Sequence, residues 1–154
     1  MIRLLVVSDS HGGCYTLNRV LEKHPEANYV LHLGDGASDM EDVVPACRAT
    51  VYQVAGNCDF AAALPLEQEL RIGSVPLLFT HGHKYSVKSG VGRLEAEARR
   101  RGVRLAMFGH THEPLFRYEN GLYLLNPGSL RFGSTYALVD LVDGSVAASI
   151  AHIY

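Results

Sequence analysis

Excess basic charge, long apolar runs and paired cysteines are all missing from this sequence, and each absence removes a class of protein. Fourteen lysines and arginines against sixteen aspartates and glutamates give a formal net charge of −2. The electrostatic footprint of a general nucleic-acid binder is therefore lacking, and no stable nucleic-acid complex is expected. The three cysteines, Cys14, Cys47 and Cys58, are an odd number with no C-x-x-C spacing. That argues against a disulfide framework or a zinc ribbon and fits a reducing, cytoplasmic setting. After Met1-Ile2-Arg3 the apolar run covers only Leu4 to Val7 before Ser8-Asp9. This is too short for a secretory signal or a membrane span, so no membrane association is expected. Low-complexity stretches, fixed-period repeats and Pro/Gly/Ser linkers are lacking too, and residues 1–154 read as a single domain.

What is there is 154 residues, 47% hydrophobic and 19% charged, enough to bury roughly two-thirds of the unfolded surface around one core. Short apolar runs rich in branched residues recur at Ile2–Val7, Tyr29–Leu33, Thr50–Val54, Val75–Phe79, Leu105–Phe108, Leu122–Leu125 and Tyr136–Leu141. They predict buried strands. Between them, Cys14-Leu17-Leu21, Met40-Val43-Val44-Cys47 and Val87-Val91-Leu94-Ala98 carry helical spacing. Ser38 with Glu41 reads as a capping box opening the second helix, and Gly102 as the stop of the third. Gly73-Ser74, Asn120-Gly121 and Asp143-Gly144 read as hairpin turns. The chain is therefore α/β, with a strand–helix alternation giving way to antiparallel strands. It packs as one mixed sheet or as two sheets with helices outside.

Histidine is over-supplied: eight occur, with H-x-H pairs at His81/His83 and His110/His112 and a D-x-H at Asp9/His11. Strand after strand also ends in a polar, glycine-bearing cluster, as in Ser8-Asp9-Ser10-His11, Gly34-Asp35-Gly36, Gly56-Asn57-Cys58-Asp59, Thr80-His81-Gly82-His83 and Gly109-His110-Thr111-His112. Ligands of open α/β sheets gather beyond the carboxyl ends of the strands, so these clusters are expected to converge on one cleft. Asp9, His11, Asp35, Asn57, His81, His110 and His112 are its candidate metal ligands. Seven such donors are too many for one tetrahedral zinc and suit two divalent ions sharing a bridge. Asp35, set between glycines, is the expected bridge. Two ions about 3.5–4 Å apart are the arrangement used for in-line phosphoryl displacement. Two divalent ions, two carboxylates and a bridging hydroxide sum to about +1, which attracts an anionic phosphate. No serine or cysteine nucleophile is then required. Manganese suits the donor set, as do iron, nickel and zinc.

With D-x-H at Asp9/His11, G-D at Asp35, G-N-x-D at Asn57/Asp59, H-G-H at His81 and G-H-x-H at His110/His112, in that order, the sequence resembles the calcineurin-like metallophosphoesterase superfamily. Its short length and G-N-C-D variant resemble the compact YfcE-type phosphodiesterase branch. The resemblance covers nearly the whole chain. It implies a four-layer α/β/β/α sandwich of two mixed sheets with a dinuclear site at the strand ends. It further implies that Asp9, His11, Asp35 and His112 hold one metal, and Asp35, Asn57, His81 and His110 the other. The implied activity is phosphodiester hydrolysis by in-line attack of a metal-bridging hydroxide on a phosphate ester substrate. The alternatives are a retromer-subunit-like protein-interaction scaffold and a metal-binding regulatory module with little turnover. A small homo-oligomer would be unsurprising.

Many family members carry histidine at the position of Cys58, where it contacts the phosphate and helps protonate the leaving group. A thiol is a poor proton shuttle, so diesters or aryl esters are the expected substrates; alternatively Cys58 simply packs beside the site. Asp35, Asn57 and Asp59 complete the catalytic candidates, with Asp59 either orienting a ligand from behind or capping a turn. His83 is a candidate substrate contact, because alternate residues of an extended segment point the same way. His32 reads as a satisfied core histidine, and His24 and His152 as surface. Lys84 and Lys88 are candidates for phosphate steering. Arg99–Arg101 read as a solvated helix end. Asn126-Pro127-Gly128-Ser129 reads as a turn from which Ser129 or Arg131 could face substrate.

Overall fold

The computed structural model of the protein describes residues 1–60 and 62–154. The first elements are β1 (Ile2–Val7), α1 (Cys14–Lys23), β2 (Tyr29–His32), α2 (Ala37–Val43), β3 (Thr50–Gln53), β4 (Glu67–Ile72) and β5 (Val75–Thr80). There follow α3 (Gly92–Arg101), β6 (Leu105–Met107), β7 (Leu115–Glu119), β8 (Leu122–Asn126), the single turn α4 (Leu130–Gly133), β9 (Thr135–Val142) and β10 (Ser145–His152). They form two five-stranded mixed sheets, ordered β10-β9-β1-β2-β3 and β4-β5-β6-β8-β7. β1, β2 and β3 run parallel in the first, β5, β6 and β8 in the second.

Period-two alternation builds the layers. Leu4 and Val6 of β1 enter the core between the sheets with Leu77 and Phe79 of β5, Leu105 and Met107 of β6 and Val139 of β9. Leu5 and Val7 point the other way, against Leu17, Val20, Met40 and Val43 of α1 and α2. On the far side Leu78 and Ala106 meet Leu94 and Ala98 of α3. The result is the four-layer α/β/β/α sandwich. Because both faces of these central strands are covered, they read as unbroken apolar runs.

Three strands lack such runs: β4, β7 and β10 each lie at a sheet edge. With less apolar covering to receive them, they alternate instead, as EQELRI and LFRYE show. Each is nonetheless joined to its partner by an expected hairpin turn. Asn120 and Gly121 have φ of 47° and 84°, and Asp143 and Gly144 have 51° and 82°. Two successive left-handed residues are the I′ geometry that matches strand twist.

The helix ends differ in part. Gly102, at φ 71°, stops α3 as expected, but α3 starts only at Gly92, and Val87 lies in a preceding 3-10 turn. The Ser38–Glu41 capping box does not form: α2 starts at Ala37 after Gly36, with no side-chain cap from its own N-terminus. Asp59 Oδ1 accepts the Gly36 and Ala37 N–H groups instead, at 3.1 Å each. Two surface expectations are also corrected. Arg101 is paired with Glu67 of β4 at 2.6 Å as well as with Glu97, tying α3 to the sheet edge. His24 bonds Tyr136 Oη at 2.8 Å.

Phe79 is fully buried between the sheets. Phe79→Ala is expected to lower stability by about 3–5 kcal/mol in a urea unfolding curve; a loss under 1 kcal/mol would contradict the packing described.

Candidate metal centre

The loops that follow the parallel strands are stitched together through their backbones. Asp9 N–H donates to Gly34 O at 2.9 Å, His11 N–H to Asp35 O at 3.0 Å and Gly109 N–H to His81 O at 3.0 Å. The segment after β8 joins them through Leu130 N–H to Ser8 O at 3.1 Å and Arg131 N–H to Asp9 O at 3.3 Å. Close approach is permitted by glycine. A Cβ on Gly56 would stand 2.0 Å from Asp35 Oδ1, and one on Gly109 would stand 2.1 Å from Ser8 Oγ.

This stitching brings the six expected Asp and His ligands together. The donor atoms of Asp9, His11 and His112 lie within 4.8 Å of one another, as do those of Asp35, His81 and His110, and those of His11, Asp35 and Cys58. Asp9 Oδ1 is 3.0 Å from His81 Nε2, 3.5 Å from His11 Nε2 and 3.4 Å from His112 Nε2. Asp35 Oδ2 is 3.3 Å from His81 Nε2 and 3.6 Å from His11 Nε2. Asn57 is exposed and makes no hydrogen bond to these six among the described residues; its amide donates to Cys58 Sγ at 3.8 Å.

Backbone strain is concentrated at the same positions. Among the described residues nine non-glycines have positive φ, and five are Asp9 (54°), His11 (43°), Asp35 (59°), His110 (71°) and His112 (64°). Such left-handed residues persist only where their surroundings over-determine them. Here the supports are visible. Asp59 accepts the N–H groups of Asp35 and Gly56, both at 2.8 Å, in addition to those at the start of α2. It therefore caps a helix and a turn and positions Asp35 at once. His32 accepts Gly34 N–H at Nδ1 (3.1 Å), so its Nε2–H donates to Ser10 Oγ (3.0 Å). The Ser10 hydroxyl donates in turn to Asp39 Oδ2 (2.6 Å), which also accepts Gly12 N–H (3.0 Å).

Ser10 and Asp39 carry no signal in the sequence: one falls inside the D-x-H motif, and the other resembles any first-turn helix acid. Asn126 and Ser129 also support the site from within. Asn126 Nδ2 donates to Thr111 Oγ1 at 3.0 Å, and the Ser129 hydroxyl donates to Asp9 O at 2.8 Å while accepting Phe132 N–H at 3.0 Å. Ser129 is fully buried and so does not face substrate. Lys84, a candidate for phosphate steering, is ion-paired with Glu67. His83 does lie beside the site, its Nδ1 3.1 Å from His81 Nδ1.

Electrostatics follow from this bonding. Burial pushes the Asp9 carboxyl up, but hydrogen bonds from His81 Nε2, Ser8 Oγ and His110 N–H outweigh it and hold the group at about 2. Burial, with His81 nearby, lowers His110 to about 4, leaving a neutral imidazole at pH 7. Burial and the Asp35 carboxylate raise the Cys58 thiol, so it stays protonated.

The donor set fits divalent cations. His11 Nε2 is buried without a hydrogen-bond partner among the described residues, although it faces Asp9 and Asp35. A buried orphan nitrogen costs about 1–3 kcal/mol, and a cation shared with two carboxylates removes that cost. The cavity of about 330 Å³ lined by Leu21, Ala27, Val30, Val43 and Cys47 touches none of these donors.

Two mixed sheets between helices, with clustered aspartates and histidines at the strand ends, are the architecture of the metallophosphoesterase-like fold. The chain belongs to the calcineurin-like phosphoesterase superfamily, whose domain profile matches residues 2–144. It is 34% identical over 131 residues to the probable metallophosphoesterase YsnB of Bacillus subtilis, covering 84% of this chain and 76% of that one. It is 29% identical over 178 residues to phosphodiesterase YfcE of Escherichia coli, covering 98% and 92%. A crystal structure of a predicted phosphoesterase from Streptococcus pneumoniae matches with a TM-score of 0.83 at 25% identity, over 99% of this chain and 90% of that one. Zinc-complexed Vps29 of Entamoeba histolytica shares the fold, with a TM-score of 0.77 at 23% identity over 99% and 100%. Among the described residues no helix is long and apolar enough to cross a membrane.

His32 provides a test of the support network. Burial lowers it to about 4, so the unfolded chain binds the extra proton first, and stability is lost as pH falls from about 6.5 through 4. His32→Gln in metal-free protein is expected to remove about 3 kcal/mol of that decline. An acid profile parallel to the unaltered chain would contradict the neutral, buried assignment.

Proposed function

We propose that this chain is a cytoplasmic phosphodiesterase working with two divalent ions, manganese foremost. Asp9, His11, Asp35 and His112 are assigned to one ion, and Asp35, Asn57, His81 and His110 to the other. The observation that carries the reading is the place of Asp35, which shares one donor group with His11 and another with His81 and His110. When bound, the ions supply Lewis-acid stabilisation of the phosphoryl oxygens and a water that ionises near neutral pH for in-line attack on phosphorus.

The chain's own groups prepare that chemistry. Each carboxylate has one oxygen fixed by protein donors and the other turned inward. Cys58 N–H holds Asp35 Oδ1 at 2.8 Å, leaving Oδ2 toward His11 and His81. Ser8 Oγ and His110 N–H hold Asp9 Oδ2 at 2.6 and 3.0 Å, leaving Oδ1 toward His11, His81 and His112. Such fixing is what outer partners of metal ligands do. His83, its Nδ1 3.1 Å from His81 Nδ1, is assigned to contact a substrate phosphate. The protonated Cys58 thiol is a weak general acid, which favours diesters and aryl esters whose leaving groups need little help. The phosphodiesterase name of the YfcE relative supports the same preference.

Metal-stripped protein restored with manganese is expected to hydrolyse bis-p-nitrophenyl phosphate faster than p-nitrophenyl phosphate, and Asp35→Asn to abolish both. Manganese binding without turnover of either ester would move the chain to the scaffold reading that its likeness to Vps29 keeps in view. Cys58→His is expected to raise turnover of an alkyl phosphate monoester by about 10²-fold and of the aryl diester far less. Equal gains would refute a missing general acid.

A further inference from the structure

Phe132 is 65% exposed. Single exposed apolar side chains are ordinary and say nothing by themselves. The surroundings of this one are specific. Its ring lies 5.2 Å from the His112 ring at an interplanar angle of 25°, and 5.4 Å from the His11 ring at 48°. It therefore packs on two residues assigned to the same ion. Its position is also fixed. Phe132 N–H bonds Ser129 Oγ, the Ser129 hydroxyl bonds Asp9 O, and Arg131 N–H bonds the same carbonyl. The ring is thus tied by two short paths to the residue at the centre of the donor cluster.

We infer that Phe132 forms an aromatic subsite beside the metal centre, one face on the ligand imidazoles and its exposed surface open to a planar group of the substrate. The inference rests on the phosphoesterase reading above and deepens it. It names the substrate class as phosphate esters bearing an aryl or heteroaromatic substituent. Aromatic rings bind planar π systems by offset stacking, and alkyl chains gain less from the same surface. A phosphate anchored by the donor cluster places its ester substituent within reach of a ring that already touches His11 and His112. Stacking of this kind corresponds to about 5- to 100-fold in affinity.

The test is binding of phenyl phosphate, adenosine 5′-phosphate and methyl phosphate to manganese-loaded protein by calorimetry, for the unaltered chain and for Phe132→Ala. The unaltered chain is expected to bind at least one aromatic ester about 5- to 100-fold tighter than methyl phosphate. Which one is favoured tells a ring on the phosphate oxygen from one held a ribose away. In Phe132→Ala that preference falls to within about two-fold, while methyl phosphate affinity and metal content are unchanged. Because the chain has no tryptophan but eight tyrosines, Phe132→Trp supplies a sole tryptophan at the subsite, whose selectively excited emission the favoured aromatic ester should quench saturably and methyl phosphate should not. An aromatic preference that survives Phe132→Ala would overturn the subsite, as would equal weakening of all esters or no preference in the unaltered chain. Turnover of bis-p-nitrophenyl phosphate is scored separately. Its absence with an intact aromatic preference removes the enzyme reading and keeps the subsite, and the converse result does the reverse.

Discussion

Asp9 joins the ends of the two sheets, and the arrangement of the site depends on that junction. Its backbone N–H bonds Gly34 beyond β2, its carbonyl receives Ser129 and Arg131 from beyond β8, and its carboxylate receives His81 from beyond β5 and His110 from beyond β6. A carboxylate with no exposure is costly to bury unless charged or strongly donating groups surround it. Those same groups are the walls of the donor cluster. The core beneath, from Leu4 and Val6 across to Phe79 and Met107, fixes the strand ends from which the loops start. Rigid layers below and a shared carboxylate above leave the intervening residues little freedom, and several are driven into left-handed backbone.

That strain and the crowding of acidic and imidazole groups work against folding, and the structure offsets them nearby. Asp59 gathers four backbone N–H groups around the Asp35 loop, and the His32–Ser10–Asp39 relay does the same service for the Asp9–Gly12 loop. Neither group needs to touch a substrate. Both hold first-contact residues in geometries that those residues would not choose alone.

Much of this is legible in the sequence because the parts that carry chemistry are short, local and polar at the ends of apolar runs. β1, β2, β5 and β6 announce themselves as unbroken runs since both their faces are covered, and each Asp or His donor motif follows one directly, while Gly56-Asn57-Cys58-Asp59 follows β3. Of the four edge strands β3 still shows as a run, but β4, β7 and β10 are harder to see, because their apolar residues are interrupted, and only their turns give them away. The misread capping box has a similar origin. Ser38 and Glu41 satisfy the local pattern, but Asp59, distant in sequence, already occupies the N–H groups at the start of α2. Ser10, Asp39, Asn126 and Phe132 are likewise meaningful only through partners that tertiary structure supplies.

Two ions sharing the cluster through Asp35 is the arrangement on which the proposed chemistry turns. Metal analysis combined with electron paramagnetic resonance of manganese-loaded protein tests it most directly. Two manganese ions per chain with an exchange-coupled spectrum are expected, with loss of that coupling in Asp35→Asn. One uncoupled manganese per chain at saturation, unchanged by Asp35→Asn, would contradict it.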